Sequence, residues 1–162
     1  MTTLVSVKTY LEEELDELKS MYFDYIRELL PYEHDNRAGV SDEQSWRMQF
    51  AEGCSHSWIC EDGRHVGFVF FGPVQLRRHR YWEIIQFYVI PSERRKGIGT
   101  KALNALFRLL QRYEWSDRLM YLVLRKSPAN AFWNKALSGT EVLKEPEVKP
   151  ENDEEAWFFR RF

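Results

Sequence analysis

Gln86-Phe-Tyr-Val-Ile-Pro-Ser-Glu-Arg94-Arg-Lys-Gly97-Ile-Gly99-Thr100-Lys-Ala-Leu is the stretch on which the reading of this chain turns. An apolar strand runs to Ile90, and Pro91 stops it. Three cations follow, Arg94, Arg95 and Lys96, and then two glycines one residue apart. From there Ile98, Ala102, Leu103, Leu106 and Leu110 recur every three or four positions, which predicts a helix. A strand, a short basic turn with glycines and a helix N-terminus together make an anion site. The glycines admit positive φ and close approach, successive N–H groups converge on the ligand, and the helix dipole adds its positive end to the full charges. This chemistry suits a phosphate-bearing ligand, most simply a pyrophosphate. The bland alternative is a basic turn whose cations merely face solvent. No Gly-Lys-Ser/Thr closes the loop, and the pattern Gly-x-Gly-x-x-Gly is absent, so two common nucleotide-binding loops are excluded.

The rest of the chain is consistent with one soluble globular domain over residues 1–162, because splitting this length leaves two marginal cores. Hydrophobic residues make up 44% and aromatics 15%, which predicts a core or cleft rich in rings. A net charge of −2 gives a nucleic-acid role no support. Cys54 and Cys60 make neither a disulfide framework nor a zinc site, and reduced thiols in the cytoplasm are expected. His34, His56, His65 and His79 lack ligand spacing, so no metal is expected. No signal peptide and no apolar run of membrane-spanning length is read.

In chain order, residues 4–8 alternate as a first strand. A helical pattern starts at Thr9, its N-cap with Glu12 as box partner, and Pro31 marks its exit. Residues 31–39 are a polar loop, and Ser41 caps a helix from 42 to about 52. Strands 57–61 and 65–72 flank Asp62-Gly63, a strong hairpin signal. Pro73 is expected to end the second of these, leaving 75–80 as a basic loop before strand 81–90. After helix 98–113, the apolar run 119–124 reads as a central strand covered on both faces. Pro128 opens helix 129–137, 140–143 forms a short strand, 144–155 a loop, and 156–162 the last strand. The order predicts an α/β fold with a mixed sheet. An exposed aromatic edge at 156–162 would favour a homodimer over a monomer.

Arg94-x-x-Gly97-x-Gly99, preceded by Phe87-Tyr-Val-x-Pro91, resembles the acyl-CoA signature of the GCN5-related N-acetyltransferases. The resemblance implies a mixed, mostly antiparallel twisted sheet of about seven strands with helices on both faces. It implies acetyl-CoA as co-substrate, its pyrophosphate held at Arg94, Arg95, Lys96, Gly97, Ile98, Gly99 and Thr100. It further implies that the backbone of Phe87, Tyr88 and Val89 pairs with the pantetheine amides, and that an N–H near Tyr88 or Val89 meets the thioester oxygen. Glu83 falls where several members carry a glutamate general base. Strand alternation places Glu83 with Ile85, Phe87 and Val89, an apolar face that suits a raised pKa. The competing reading has Glu83 at the strand edge paired with Arg80 or another cation.

Ala129-x-x-Phe132-Trp133 resembles the family segment whose helix packs along the CoA arm, with two departures. Lys126 stands where the pattern has asparagine, and Asn130 one turn on offers an amide in its place. Trp133 stands where a tyrosine often protonates the leaving thiolate, and an indole N–H does not titrate. Tyr121, Tyr88 or solvent is left for that task, and core packing is the competing reading for Phe132 and Trp133. Residues 77–80 read as a hairpin tip or as cations for the 3′-phosphate. Tyr22, Tyr25, Tyr32 and Trp46 with Asp24, Glu28, Glu33 and Asp35 lie where the resemblance puts the acceptor wall, a setting suited to a cationic amine. The expected function is transfer of acetyl from acetyl-CoA to a primary amine by direct attack in a ternary complex. The acceptor is a small cation such as an aminoglycoside, polyamine or amino acid. A protein N-terminus or lysine is the alternative acceptor, and a non-catalytic acyl-CoA sensor the alternative of another class.

Overall fold

The computed structural model describes residues 3–32, 41–144 and 155–162; the expected acceptor-wall acids Glu33 and Asp35, and His34, lie outside them. Seven strands form one sheet in the order β1-β2-β3-β4-β5-β7-β6. They are β1 Val5–Thr9, β2 Ser55–Glu61, β3 Arg64–Leu76, β4 His79–Val89, β5 Arg118–Leu124, β6 Glu141–Leu143 and β7 Glu155–Arg161. Every neighbouring pair is antiparallel except β4 with β5. The parallel pair is joined through a helical crossover between Val89 and Arg118, as parallel neighbours require.

Helices cover both faces. Leu18, Tyr22 and Ile26 of α1 (Leu15–Leu29) and Trp46 of α2 (Asp42–Met48) pack on Trp58, Phe68, Phe70 and Tyr88. On the other face, Ile98, Leu103, Leu106 and Leu110 of α3 (Ile98–Gln111) and Trp133 of α4 (Ala129–Ala136) pack on Ile59, Val69, Ile84 and Tyr121. The strands alternate between these cores because their side chains do.

Several boundaries differ from the sequence pattern. The acidic residues Glu12–Glu14 form a 3-10 turn, and α1 begins only at Leu15. Glu14, not Glu12, reaches back to accept from the Leu11 N–H at 2.8 Å. Ser41 does cap α2, accepting from the Gln44 N–H at 3.1 Å, but the helix stops at Met48. Asp62 and Gly63 both take positive φ, 49° and 84°, as a tight hairpin turn demands. Pro73 does not end its strand. It pairs with Trp82 inside a hairpin running on to Leu76, and Arg77 turns at φ 50°. Arg77 and Arg78 are therefore the hairpin turn, and His79 and Arg80 already pair in β4. The strand β7 lies between β5 and β6, and β6 covers its outer edge from Phe159 to Arg161. Leu122 is 38% exposed, so β5 is covered on one face only along part of its length.

Candidate functional site

The turn before α3 has the backbone geometry that an anion cradle needs. Arg95 and Gly97 take positive φ, 63° and 78°, bending the chain twice before the helix starts. The first helical bond runs from the Lys101 N–H to the Gly97 carbonyl at 3.1 Å. The N–H groups of Ile98, Gly99 and Thr100 thus have no helical acceptor, and the dipole's positive end is bare. A Cβ on Gly99 would stand 2.7 Å from the Phe132 ring, so glycine there lets α4 close on the cradle. Lys96 is held to Glu93 at 3.1 Å.

Beside the cradle the sheet opens. β4 and β5 pair only at Trp82–Leu119, Glu83–Met120 and Ile84–Tyr121. Beyond that, β4 continues to Val89 along β3, and β5 continues to Leu124 along β7. The result is a wedge with an unpaired β4 edge from Ile85 to Val89. The Ile90 N–H donates to the Val66 carbonyl at 2.9 Å. Antiparallel alternation then turns the N–H groups of Tyr88 toward β3 and those of Phe87 and Val89 toward the wedge. Of the two expected oxyanion donors, Val89 is the one at the open edge. Phe87, Phe132, Trp133 and Tyr121 line the α4 side, with ring centroids 4.7–5.5 Å apart in successive pairs.

Glu83 sits one residue from the wedge apex and shares the face of Ile85, as alternation predicts, but not that of Phe87 and Val89. Ile85 is a bulge: Phe70 pairs with Gln86 and Phe71 with Ile84. The extra residue shifts the phase. Trp82, Ile84, Phe87 and Val89 therefore all pack toward α3 and α4, and Glu83 points to the α1 and α2 side with Gln86 and Tyr88. Its partner on β3 is Gly72, where a Cβ would stand 2.8 Å from the Gly53 carbonyl. The Gly53–Cys54 backbone passes there and brings Cys54 beside Glu83. Burial pushes the Glu83 carboxyl above its ordinary range, which suits a proton acceptor working near neutrality. No pair between Glu83 and Arg80 is present among the described residues; Arg80 stacks on Trp115 at 4.6 Å.

Burial, with the nearby Glu83 charge, pushes the Cys54 thiol up to about 11. About one molecule in a thousand then carries the thiolate at pH 8. Cys54 is expected to alkylate slowly at pH 8, and faster in Glu83→Gln; rapid alkylation of the wild type would contradict this environment.

A hydrogen-bonded chain extends from Glu83's neighbour. The Tyr25 hydroxyl donates to Gln86 Oε1 at 2.6 Å, and Gln86 Nε2 donates to Gln49 Oε1 at 3.2 Å. The Gln49 carbonyl accepts from His56 Nε2 at 2.5 Å, and burial lowers the His56 pKa. Sequence reasoning missed Gln86, Gln49 and His56, because neutral amides carry no motif.

Other expected site residues are differently occupied. Asn130 Nδ2 donates to the carbonyls of Leu124 and Arg125 at 3.2 and 2.6 Å, tying α4 to the end of β5. Trp133 is 7% exposed and stacks on Tyr121, so core packing describes it. Tyr121 accepts from Arg160 Nε at 2.9 Å, and burial raises its pKa. Burial also raises that of Tyr88, which lies on the opposite face. Arg94 is committed within the chain: Nε donates to the Val89 carbonyl at 2.7 Å, and its terminal nitrogens grip Glu28. Glu14 and Glu17 close on His65 at 3.0 and 2.9 Å, all ligand atoms lying within 4.8 Å. The two imidazole nitrogens face different carboxylates, and the cluster joins the 3-10 turn and α1 to β3.

No helix among the described residues is long and apolar enough to cross a membrane. Residues 13–138 match the model of the Acetyltransferase (GNAT) family. No curated protein matches the chain. Among solved structures it is similar to Tetrahymena GCN5 (16% identity, TM-score 0.66, 98% of this chain and 96% of that one). It is similar to a ribosomal-protein-alanine N-acetyltransferase from Brucella melitensis biovar Abortus 2308 (17%, 0.66, 91% and 98%). It is also similar to the PaiA N-acetyltransferase from Thermoplasma acidophilum in complex with coenzyme A (16%, 0.61, 98% and 99%).

Proposed function

Because the chain belongs to the acetyltransferase (GNAT) family, we propose that it moves acetyl from acetyl-CoA to a primary amine by direct attack, with Glu83 as general base. The observation that carries this reading is the β4–β5 wedge. It ends at Ile84–Tyr121, runs toward the bare N-terminus of α3, and has a half-buried carboxylate beside its apex. The N–H groups of Ile98, Gly99 and Thr100, with Arg95 and Lys96, hold the pyrophosphate. The open edge at Phe87 and Val89 pairs with the pantetheine amides, and the Val89 N–H faces the charge that develops on the carbonyl oxygen. Acetyl-CoA supplies the activated thioester; Glu83 takes the ammonium proton, directly or through one water, so that a neutral amine attacks. Solvent returns a proton to the departing thiolate. The chain acts as a single domain over residues 1–162, in the cytoplasm.

The acceptor is a small cationic amine, drawn to the Glu83 carboxylate and the Tyr25–Gln86 face. Thiol release from acetyl-CoA is measured against aminoglycosides, polyamines, amino acids and N-terminal or lysine peptides. Release with a small amine supports the proposal, release only with peptides replaces its acceptor, and silence across the panel refutes it. Arg95→Glu with Lys96→Glu is expected to weaken CoA binding at least tenfold, roughly what loss of one charge-assisted phosphate contact costs. An unchanged Kd by calorimetry would refute the phosphate site.

A further inference from the structure

We propose that Arg94 and Glu28 form a strap binding the cofactor turn to α1, and that Arg94 is a positioning residue instead of a phosphate ligand. The inference rests on the wedge being the acetyl-CoA site. All three guanidinium nitrogens are engaged inside the chain. Nε holds the Val89 carbonyl at 2.7 Å, one terminal nitrogen holds Glu28 Oε1, and the other holds Glu28 Oε2 at 2.8 Å. This two-pronged grip is the arrangement a guanidinium makes best, and a lysine does not reproduce it. The cation also lies 5.3 Å from the Tyr88 ring centroid. Tyr88 and α1 occupy one face of the sheet, whereas α3, whose N–H groups await the pyrophosphate, packs on the other. The terminal nitrogens thus reach α1, on the face opposite α3, while Nε stays on the Val89 carbonyl at the wedge edge.

The strap has a second anchor one helical turn earlier. Tyr25, at i−3 from Glu28, donates to Gln86, three residues from Glu83. The last turns of α1 are therefore fixed to β4 at Gln86 and, through Arg94, at Val89. The wall that faces the amine keeps its register on the strand that carries the base and the oxyanion donor. Exposed ion pairs add little to global stability, so the strap acts on position.

The test compares wild type with Glu28→Gln, Arg94→Gln, Arg94→Lys and the double variant Glu28→Gln/Arg94→Gln. Amide hydrogen exchange over residues 25–29 is read together with calorimetric Kd for CoA. The strap predicts faster exchange by a similar factor in each single variant, Arg94→Lys included, and no further gain in the double variant. It predicts a CoA Kd within about threefold of wild type. With the acceptor found by the panel, its KM rises about tenfold or more, while kcat and the KM for acetyl-CoA hold. A tenfold loss of CoA affinity in Arg94→Gln, rescued by Arg94→Lys, would make Arg94 a phosphate ligand and overturn the proposal. Unchanged exchange in the single variants, or additive effects in the double one, would overturn it as well. Failure of wild type to bind CoA would remove the proposed function, while the exchange pattern would still judge the strap.

Discussion

Replacing Glu83 by glutamine is expected to lower kcat/KM for the amine about 10²–10⁴-fold, the usual contribution of a positioned base, with CoA affinity intact. Glutamine keeps the size and polarity of the side chain and removes only its capacity to take a proton. Two pH signatures should accompany the loss. Burial raises the Glu83 pKa, so the wild-type base form accumulates above the ordinary carboxylate range. The acidic limb of the kcat/KM profile should rise through that raised value, and it should be missing in Glu83→Gln. Stability should move in the opposite sense. A carboxyl whose folded pKa exceeds its unfolded one contributes most to stability at low pH and loses that contribution as pH rises through the folded value. The melting temperature of Glu83→Gln relative to wild type should therefore be higher at pH 8 than at pH 4. An unchanged rate would remove Glu83 as the base; equal losses in rate and CoA affinity would point to a disturbed wedge.

Gly67→Ala should be the most damaging single-methyl change. An added Cβ would stand 2.1 Å from the Tyr88 carbonyl oxygen and 3.0 Å from the Val89 Cα. Both are backbone atoms in the pair that frames the wedge, and neither yields without parting β3 from β4. We expect a loss of about 3 kcal/mol, the upper part of the range for overpacking, and a fall in melting temperature of roughly 6–12 °C. Gly139→Ala is the matched control, because nothing lies within 4 Å of its added Cβ. That change should stay within about 0.5 kcal/mol. Equal melting temperatures for the two variants would contradict the close approach. CoA binding by Gly67→Ala should weaken too, since the displaced segment is the open edge of the wedge.

The legible parts of this protein were those written over a few neighbouring residues. Asp62-Gly63 specified its turn because few residues tolerate two positive φ values in succession. Ser41 announced α2 through its own cap with Gln44. Pro73 misled, because the strand takes a proline at this place in the hairpin and runs on. The amide and phenol chain from Tyr25 to His56 was invisible, because its members come from four separate elements and none is unusual in type.

From its sequence alone, this chain determined a strand, a basic glycine turn and a helix whose first N–H groups have no helical acceptor. Those features depend on backbone sterics and a helix dipole, which act within a few residues. Only the tertiary structure decided where the site's side chains point. One extra residue at Ile85 sends Glu83 to the α1 face, and Arg94 finds its partner in Glu28, 66 positions earlier in the chain. Register and ion-pair choice arise from which elements meet, and a local pattern of apolar and charged residues does not encode that meeting.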